Sequence, residues 1–330
     1  MTAIVTIIVF LVVVLIHELG HFITAKMSGV HVIEFAVGMG PKLISKQYKD
    51  TLYSIRILPL GGFCMMEGED EDEYSSKSIN AQPAWKRFIV LAAGSFNNIV
   101  LAFVLFSILF FKMGFISNEI ESIVDNKPAY KAGIIAGDEI YSINNININT
   151  WNDVGEIIEK NQDNTANVKI LRDGEYKELE LKPYYDDEYS KWMIGIQPKI
   201  DHSVGVAVKQ SLGHMKFIVT ETFKLLGRLF KFEDVSKEVS GPVGIIKMVN
   251  QATQYGFYAV LEIAALISMS LGIFNLLPFP ALDGGRIVFV LIEKIIRRPV
   301  NKEIEGYFHL AGFGLLIIMT ILITIKDLSK

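Results

Sequence analysis

The sequence predicts a multi-pass α-helical membrane protein: four transmembrane helices, a membrane-associated β-hairpin and one inserted α+β domain. Three observations carry this. Of 330 residues, 51% are hydrophobic, more than a soluble enzyme carries, yet 21% are charged, more than a pure membrane bundle tolerates. Four apolar segments each reach the roughly 17–25 residues that a spanning helix needs. Between the second and third lies a long polar stretch with the periodicities of strands and a helix. The net charge of −4 gives no reason to expect a nucleic-acid partner. The single cysteine, Cys64, excludes an intramolecular disulfide and a cysteine-based zinc site. Its composition suits a small buried hydrophobe; a regulatory thiol has no support.

The first span is expected over Ala3 to Lys26 and the second over Phe88 to Phe111, with Asn97 and Asn98 as polar exceptions. The third is expected over Val260 to Leu291, interrupted by Asn275, Pro278, Pro280 and Asp283, and the fourth over His309 to Ile325. The N-terminal stretch has no basic side chain before its apolar run and no small-residue cleavage site after it, so it reads as a retained helix. The short basic segment Glu293 to Lys302 is expected on the cytoplasmic side, as are Lys26, Lys42, Lys46, Lys49, Arg56, Lys86 and Arg87. Both termini and the region from Lys112 to about Val260 then lie outside.

Residues Glu34 to Phe63 do not form a span. A turn-rich opening at Val37 to Pro41 and partial alternation over Leu52 to Leu60 predict a hairpin with the stretch around Lys42 to Gln47. It either dips toward the membrane and holds an extended substrate on its edge, or is a surface loop. The run Glu67 to Glu73 holds six acidic residues and reads as a solvated loop, with divalent-ion binding as the sharper alternative. In the polar region, Glu121 to Val124 and Glu139 to Ile143 read as strands and Trp151 to Glu159 as a helix. Val168 to Leu171 and Tyr176 to Leu181 form a hairpin around Asp173 and Gly174. Ala207 to Phe230 interleaves apolar and basic residues, as does an amphipathic helix lying on the membrane or packed on the inserted domain.

His17, Glu18 and His21 form an H-E-x-x-H pattern at the end of the first apolar run. Residues four apart on a helix lie one above the other, so both imidazoles can face one metal ion, with Glu18 placed as the base for a water molecule. Ionisable groups in a membrane segment are costly and functional by default. Two histidines do not complete a catalytic zinc site, which takes three protein ligands and leaves one position open. Asp283 stands in a comparable setting, after Asn275 to Leu282 and before Gly284 and Gly285. It is either that third ligand or a helix cap, and beside the first motif the ligand reading is favoured.

The chain resembles the site-2 protease family. The resemblance rests on H-E-L-G-H in the first helix, G-x-x-x-N at Gly94 to Asn98, G-P-V-G at Gly241 to Gly244 and N-L-L-P-x-P-x-L-D-G-G at Asn275 to Gly285. More closely it looks like the bacterial branch with an external PDZ domain, which the P-A-x-x-A-G-x-x-x-G-D spacing from Pro128 to Asp138 also resembles. Ser95 departs from the proline often found after the first glycine of the second motif, and only one PDZ unit fits. The resemblance implies a zinc endopeptidase that cuts transmembrane segments, with His17, His21 and Asp283 as Zn2+ ligands and Glu18 as general base. Asn98 and Asn275 would orient or stabilise the unwound substrate. It further implies substrates such as anti-sigma factors already trimmed by an outer protease, or remnant signal peptides, and a place in the bacterial inner membrane with the site toward the cytoplasm. The expected organisation is a membrane core over 1–111, the PDZ-like domain over 112–200, an interfacial connector over 201–258 and a second membrane core over 259–330. The alternative is a non-catalytic membrane scaffold or transporter that recruits partners through the PDZ-like domain.

Overall fold

A computed structural model of the protein describes residues 2–69, 75–231, 233, 238–298 and 300–328. The chain divides into two compact units, one of residues 1–106 and 211–330, the other of residues 107–210.

In the first unit, helix α1 (Thr2–Ser28) carries the H-E-x-x-H pattern on its C-terminal third. Strands β1 (Val32–Tyr48) and β2 (Thr51–Met66) follow. They are longer than the expected hairpin and folded on themselves. Residues 32–37 pair on one side with 62–66, as in Phe35 with Cys64, and on the other with 52–55, as in Phe35 with Tyr53. Residues 42–48 pair with 51–56. The change of partner falls between residues 37 and 42, where Gly38 has a φ of 88° that suits glycine and where a β-carbon would lie 2.5 Å from the Leu58 carbonyl oxygen. Residues 62–66 therefore lie at one edge of the sheet. Cys64 is buried, and that burial pushes its thiol up to about 12, which makes it the inert hydrophobe its composition suggested.

Helix α2 (Ala84–Met113) is long and apolar. It packs closely on α1 through small residues: a β-carbon on Gly20 would lie 2.4 Å from the Ala93 carbonyl oxygen. Ser95 is fully buried, and its hydroxyl-bearing residue, unlike proline, keeps the backbone N–H of the helix.

The second unit comprises β3 (Phe115–Ile123), α3 (Pro128–Lys131), β4 (Glu139–Ile143), β5 (Ile146–Asn147), α4 (Trp151–Asn161), β6 (Ala166–Arg172), β7 (Glu175–Leu181), β8 (Tyr184–Asp186), β9 (Lys191–Met193) and β10 (Ile196–Asp201). Its main sheet has the order β10-β3-β4-β6-β7, with β5 paired to β4. Alternation along the strands buries Ile120, Ile140, Val168 and Ile170 under Val154 and Ile158 of α4. Thr150 and Asp153 form a capping box that starts α4. The Gly-Asp pair of the P-A-x-x-A-G-x-x-x-G-D stretch serves the fold: Arg172 Nε and Nη2 each donate to the fully buried Asp138 carboxylate at 2.7 Å, and Ile135 N–H adds a bond of 2.8 Å. The strand expected at Glu121 to Val124 extends back to Phe115, because β10 pairs along it. Sequence periodicity is too short in β8, β9 and β10 to announce them.

The remaining helices are α5 (Val204–Phe230), α6 (Pro242–Tyr255), α7 (Phe257–Asn275), α8 (Asp283–Ile296) and α9 (Lys302–Leu328). The segment expected as one interrupted span over Val260 to Leu291 is two helices: α7 alone is long and apolar enough to cross a membrane, and α8 starts afresh at Asp283. Pro278 and Pro280 in the intervening loop remove the N–H groups a continuous helix would need. Among the described residues, the four helices with the length and composition to span are α1, α2, α7 and α9. The G-P-V-G stretch opens α6. There the buried Asp327 of α9 accepts from the N–H groups of Gly241 at 2.8 Å and Gly244 at 2.9 Å, an anion seated on a helix N-terminus.

The acidic run is partly anchored. His31 Nδ1 lies 2.6 Å from Glu67 Oε2, and Arg286 donates to Glu69, so these two carboxylates do not belong to a freely solvated loop. Asp70 to Glu73 lie outside the described residues.

Candidate metal centre

One turn of α1 separates His17 from His21, and both side chains are buried on the face toward α2 and α8. Their Nε2 atoms lie 3.2 Å apart. Asp283 Oδ2, from the first residue of α8, lies 3.2 Å from His17 Nε2 and 3.4 Å from His21 Nε2. Three donors thus form a nearly equilateral triangle. A tetrahedral zinc with bonds of about 2.0–2.1 Å has donor–donor edges of about 3.3–3.4 Å, so the triangle has the size that ion requires. Among the described residues, this is the one group of three such donors close enough to share an ion. The acidic run supplies no second group among its described members.

The surroundings fit a metal as well. Gly94 of α2 faces the two imidazoles, and a β-carbon there would lie 2.3 Å from His21 Nε2 and 2.8 Å from His17 Nε2. The space between helix backbone and imidazoles therefore exists only because residue 94 is glycine. Gly284 and Gly285 do the same for Asp283. A β-carbon on Gly284 would stand 2.1 Å from the Leu277 carbonyl oxygen, and one on Gly285 would stand 2.4 Å from that of Phe279. The loop can fold over the first turn of α8 only with both glycines. His21 Nδ1–H donates to the Val90 carbonyl at 2.8 Å, which leaves Nε2 with a lone pair for a cation.

Glu18 is half-buried on the neighbouring face of α1. A β-carbon built on Gly62 would lie 3.9 Å from Glu18 Cγ. The edge residues 62–66 of β2 therefore run past Glu18.

The structure brings His17, Glu18, His21 and Asp283 together as the sequence suggested. Asn98 is also here, but fully buried, with Nδ2 3.4 Å from His17 Nδ1. It faces the back of the His17 ring instead of an open cleft. Ser268 Oγ donates to the Asn98 carbonyl at 2.8 Å and ties α7 to this turn of α2. Asn275 ends α7, half-buried, at the start of the loop that leads to Asp283. Sequence reasoning missed Gly94 as a wall of the site and the Val90 carbonyl as the partner of His21. The first had a signal in its own motif; the second, a backbone atom, had none. Beside α8 a cavity of about 710 Å³ is lined by Glu69, Arg87, Arg286, Glu293, Glu305 and His309, among others.

Comparison with known proteins agrees with the geometry. The model of peptidase family M50 matches residues 5–319. A relative from Clostridium acetobutylicum is 37% identical, with 98% of this chain and 96% of its own covered. One from Clostridium perfringens is 38% identical, with 97% and 96% covered. One from Fusobacterium nucleatum is 35% identical, with 100% and 99% covered. All three are named zinc metalloproteases. The PDZ domain of an SdrC-like protein from Listeria innocua is 24% identical to a stretch covering 26% of this chain and 97% of its own, with a TM-score of 0.23. The family match sets aside the scaffold or transporter alternative. The chain belongs to peptidase family M50, the site-2 protease family, and is a zinc-dependent membrane metalloprotease.

Proposed function

We propose that this protease hydrolyses peptide bonds inside transmembrane segments of other proteins, at a site open to the cytoplasm. The observation that carries the reading is the position of the donor triangle. Two of its members sit on a helix long and apolar enough to span, and the third begins the helix that follows another such span. Zinc, when bound, supplies Lewis acidity for the scissile carbonyl and for the attacking water. Glu18 takes the proton of that water and passes it to the leaving amine. His17, His21 and Asp283 hold the cation, and Gly94 keeps the space for it open.

A helical substrate hides its amides in i→i−4 bonds and must unwind before attack. The edge residues 62–66 of β2 offer main-chain groups to an unwound strand beside Glu18. Hydrolysis also needs water, which the hydrocarbon core lacks. The charged cavity reaching Ala281 and Arg286, on either side of Asp283, is a route for it. Asn275, where α7 ends, would contact the unwound segment.

The remaining parts of the reading are proposals of the same kind. The inserted unit of residues 107–210 is a PDZ-like domain on the outer face of the bacterial inner membrane, where it excludes proteins with bulky ectodomains. Substrates are single-pass remnants such as anti-sigma factors trimmed by an outer protease, or signal peptides, in regulated intramembrane proteolysis. The test is proteolysis in liposomes. Purified protein should cut a labelled single-pass peptide in a zinc-dependent way, and Glu18→Gln should not. Cutting of soluble unstructured peptide alone, with membrane-inserted peptide left intact, would reject the intramembrane site.

A further inference from the structure

The structure assigns Asn98 to the metal centre as the residue that positions His17, a role different from substrate contact. The inference rests on the zinc-site reading above. The two histidine ligands are held from behind by the same helix. His21 Nδ1–H donates to the Val90 carbonyl of α2 at 2.8 Å. His17 Nδ1 has the Asn98 side-chain amide of α2 at 3.4 Å. An imidazole that presents its Nε2 lone pair to a cation carries its proton on Nδ1, and that N–H must find an acceptor when buried. For His17, which is 6% exposed, the group that meets Nδ1 is the Asn98 side-chain amide, here with Nδ2 toward the ring. A half-turn about the last side-chain bond exchanges Oδ1 with Nδ2 without changing the shape of the group. Among the described residues, Asn98 Oδ1 is buried without a hydrogen-bond partner, and this turn gives it one.

The burial of Asn98 argues the same way. Its side chain is fully enclosed, so it offers no surface to an arriving peptide. Its backbone carbonyl accepts from Ser268 Oγ, which ties the turn of helix that carries it to α7. A ligand's partner gains from such a tie, whereas a substrate clamp needs access.

The test measures zinc alone, by chelator competition on the full-length protein in detergent, for wild type, Asn98→Leu and Asn98→Asp. Leucine keeps the volume and removes the acceptor; aspartate keeps the acceptor. Loss of such a partner typically weakens metal binding by about 10–100-fold, which is the drop expected for Asn98→Leu. Asn98→Asp should bind zinc as wild type does, and its cobalt-substituted form should keep the wild-type visible absorption spectrum. Wild-type zinc affinity in Asn98→Leu, with only KM for peptide raised, would overturn the assignment and return Asn98 to the substrate. Equal losses in Asn98→Leu and Asn98→Asp would also overturn it, because a packing role is blind to the acceptor. If the wild type itself binds no zinc, the reading of the site fails first, and the two failures are distinguishable.

Discussion

Gly94→Ala is a one-carbon change that should disable the centre while leaving the fold nearly intact. The added β-carbon would stand 2.3 Å from His21 Nε2 and 2.8 Å from both His17 Nε2 and Cε1. Favourable non-bonded contact lies at about 3.5 Å, so the overlap on His21 is about 1 Å and on His17 somewhat less. Both rings carry donors of the triangle, and both must swing away. A misplacement of about 1 Å can cost about 100-fold in rate, and metal binding should weaken by at least 10-fold, or about 1.4 kcal/mol. Stability moves less. Overpacking costs about 1–3 kcal/mol, but alanine is favoured over glycine in a helix by about 1 kcal/mol, which offsets part of it. The assay pairs zinc affinity by chelator competition with a thermal melt of the zinc-free protein. The expected result is a large loss of zinc and proteolysis with a melt shifted by only a few degrees. Wild-type zinc affinity in Gly94→Ala would refute the claim that glycine keeps the metal space open.

Glu18→Gln should bind zinc as wild type does and lose proteolysis by about 100–10,000-fold, as removal of a general base does; retained turnover would mean another base acts. His17→Ala and Asp283→Ala should lose zinc and activity together, read by metal content after dialysis. Glu34 is buried in β1, where Ser54 Oγ donates to it at 2.5 Å, Arg56 at 2.8 Å, and Lys42 lies 3.2 Å away. Burial pushes its carboxyl up, but those partners outweigh it and hold it below the ordinary value of 4.5. A lowered folded-state value means that this stabilisation is complete above the ordinary value and is lost as pH falls through the lowered one. Hydrogen exchange over residues 32–66 should therefore speed up below that value in wild type; a Glu34→Gln protein should show no such step, and identical profiles would reject the cluster's role. Deleting residues 114–182 should let the enzyme cut substrates with intact ectodomains in liposomes; unchanged selectivity would reject the size filter.

The spans were legible because length and hydropathy leave few alternatives for twenty apolar residues. The two histidines of the donor triangle stood out because an i, i+4 pair beside a glutamate has few other uses in an apolar helix. What the sequence hid is tertiary. Asp283 reads as lying inside a third span until Pro278 and Pro280 are seen to end α7 and let α8 begin at that residue. Asn98 lies one motif away from its partner, and only the close packing of α1 on α2 reveals that it faces His17. The folding of β1 and β2 on themselves depends on two-sided pairing by residues 32–37, which alternation along one strand cannot announce. Glu69 looked like part of a solvated acidic run, yet it meets Arg286, a residue 217 positions away.

The proposed mechanism requires one zinc ion shared by α1 and α8. Anomalous scattering at the zinc edge from crystals of the zinc-loaded protein tests it directly. A single peak is expected at about 2.0–2.2 Å from His17 Nε2, His21 Nε2 and a carboxylate oxygen of Asp283. A zinc bound through other residues, or one that leaves Asp283 uncoordinated, would contradict it.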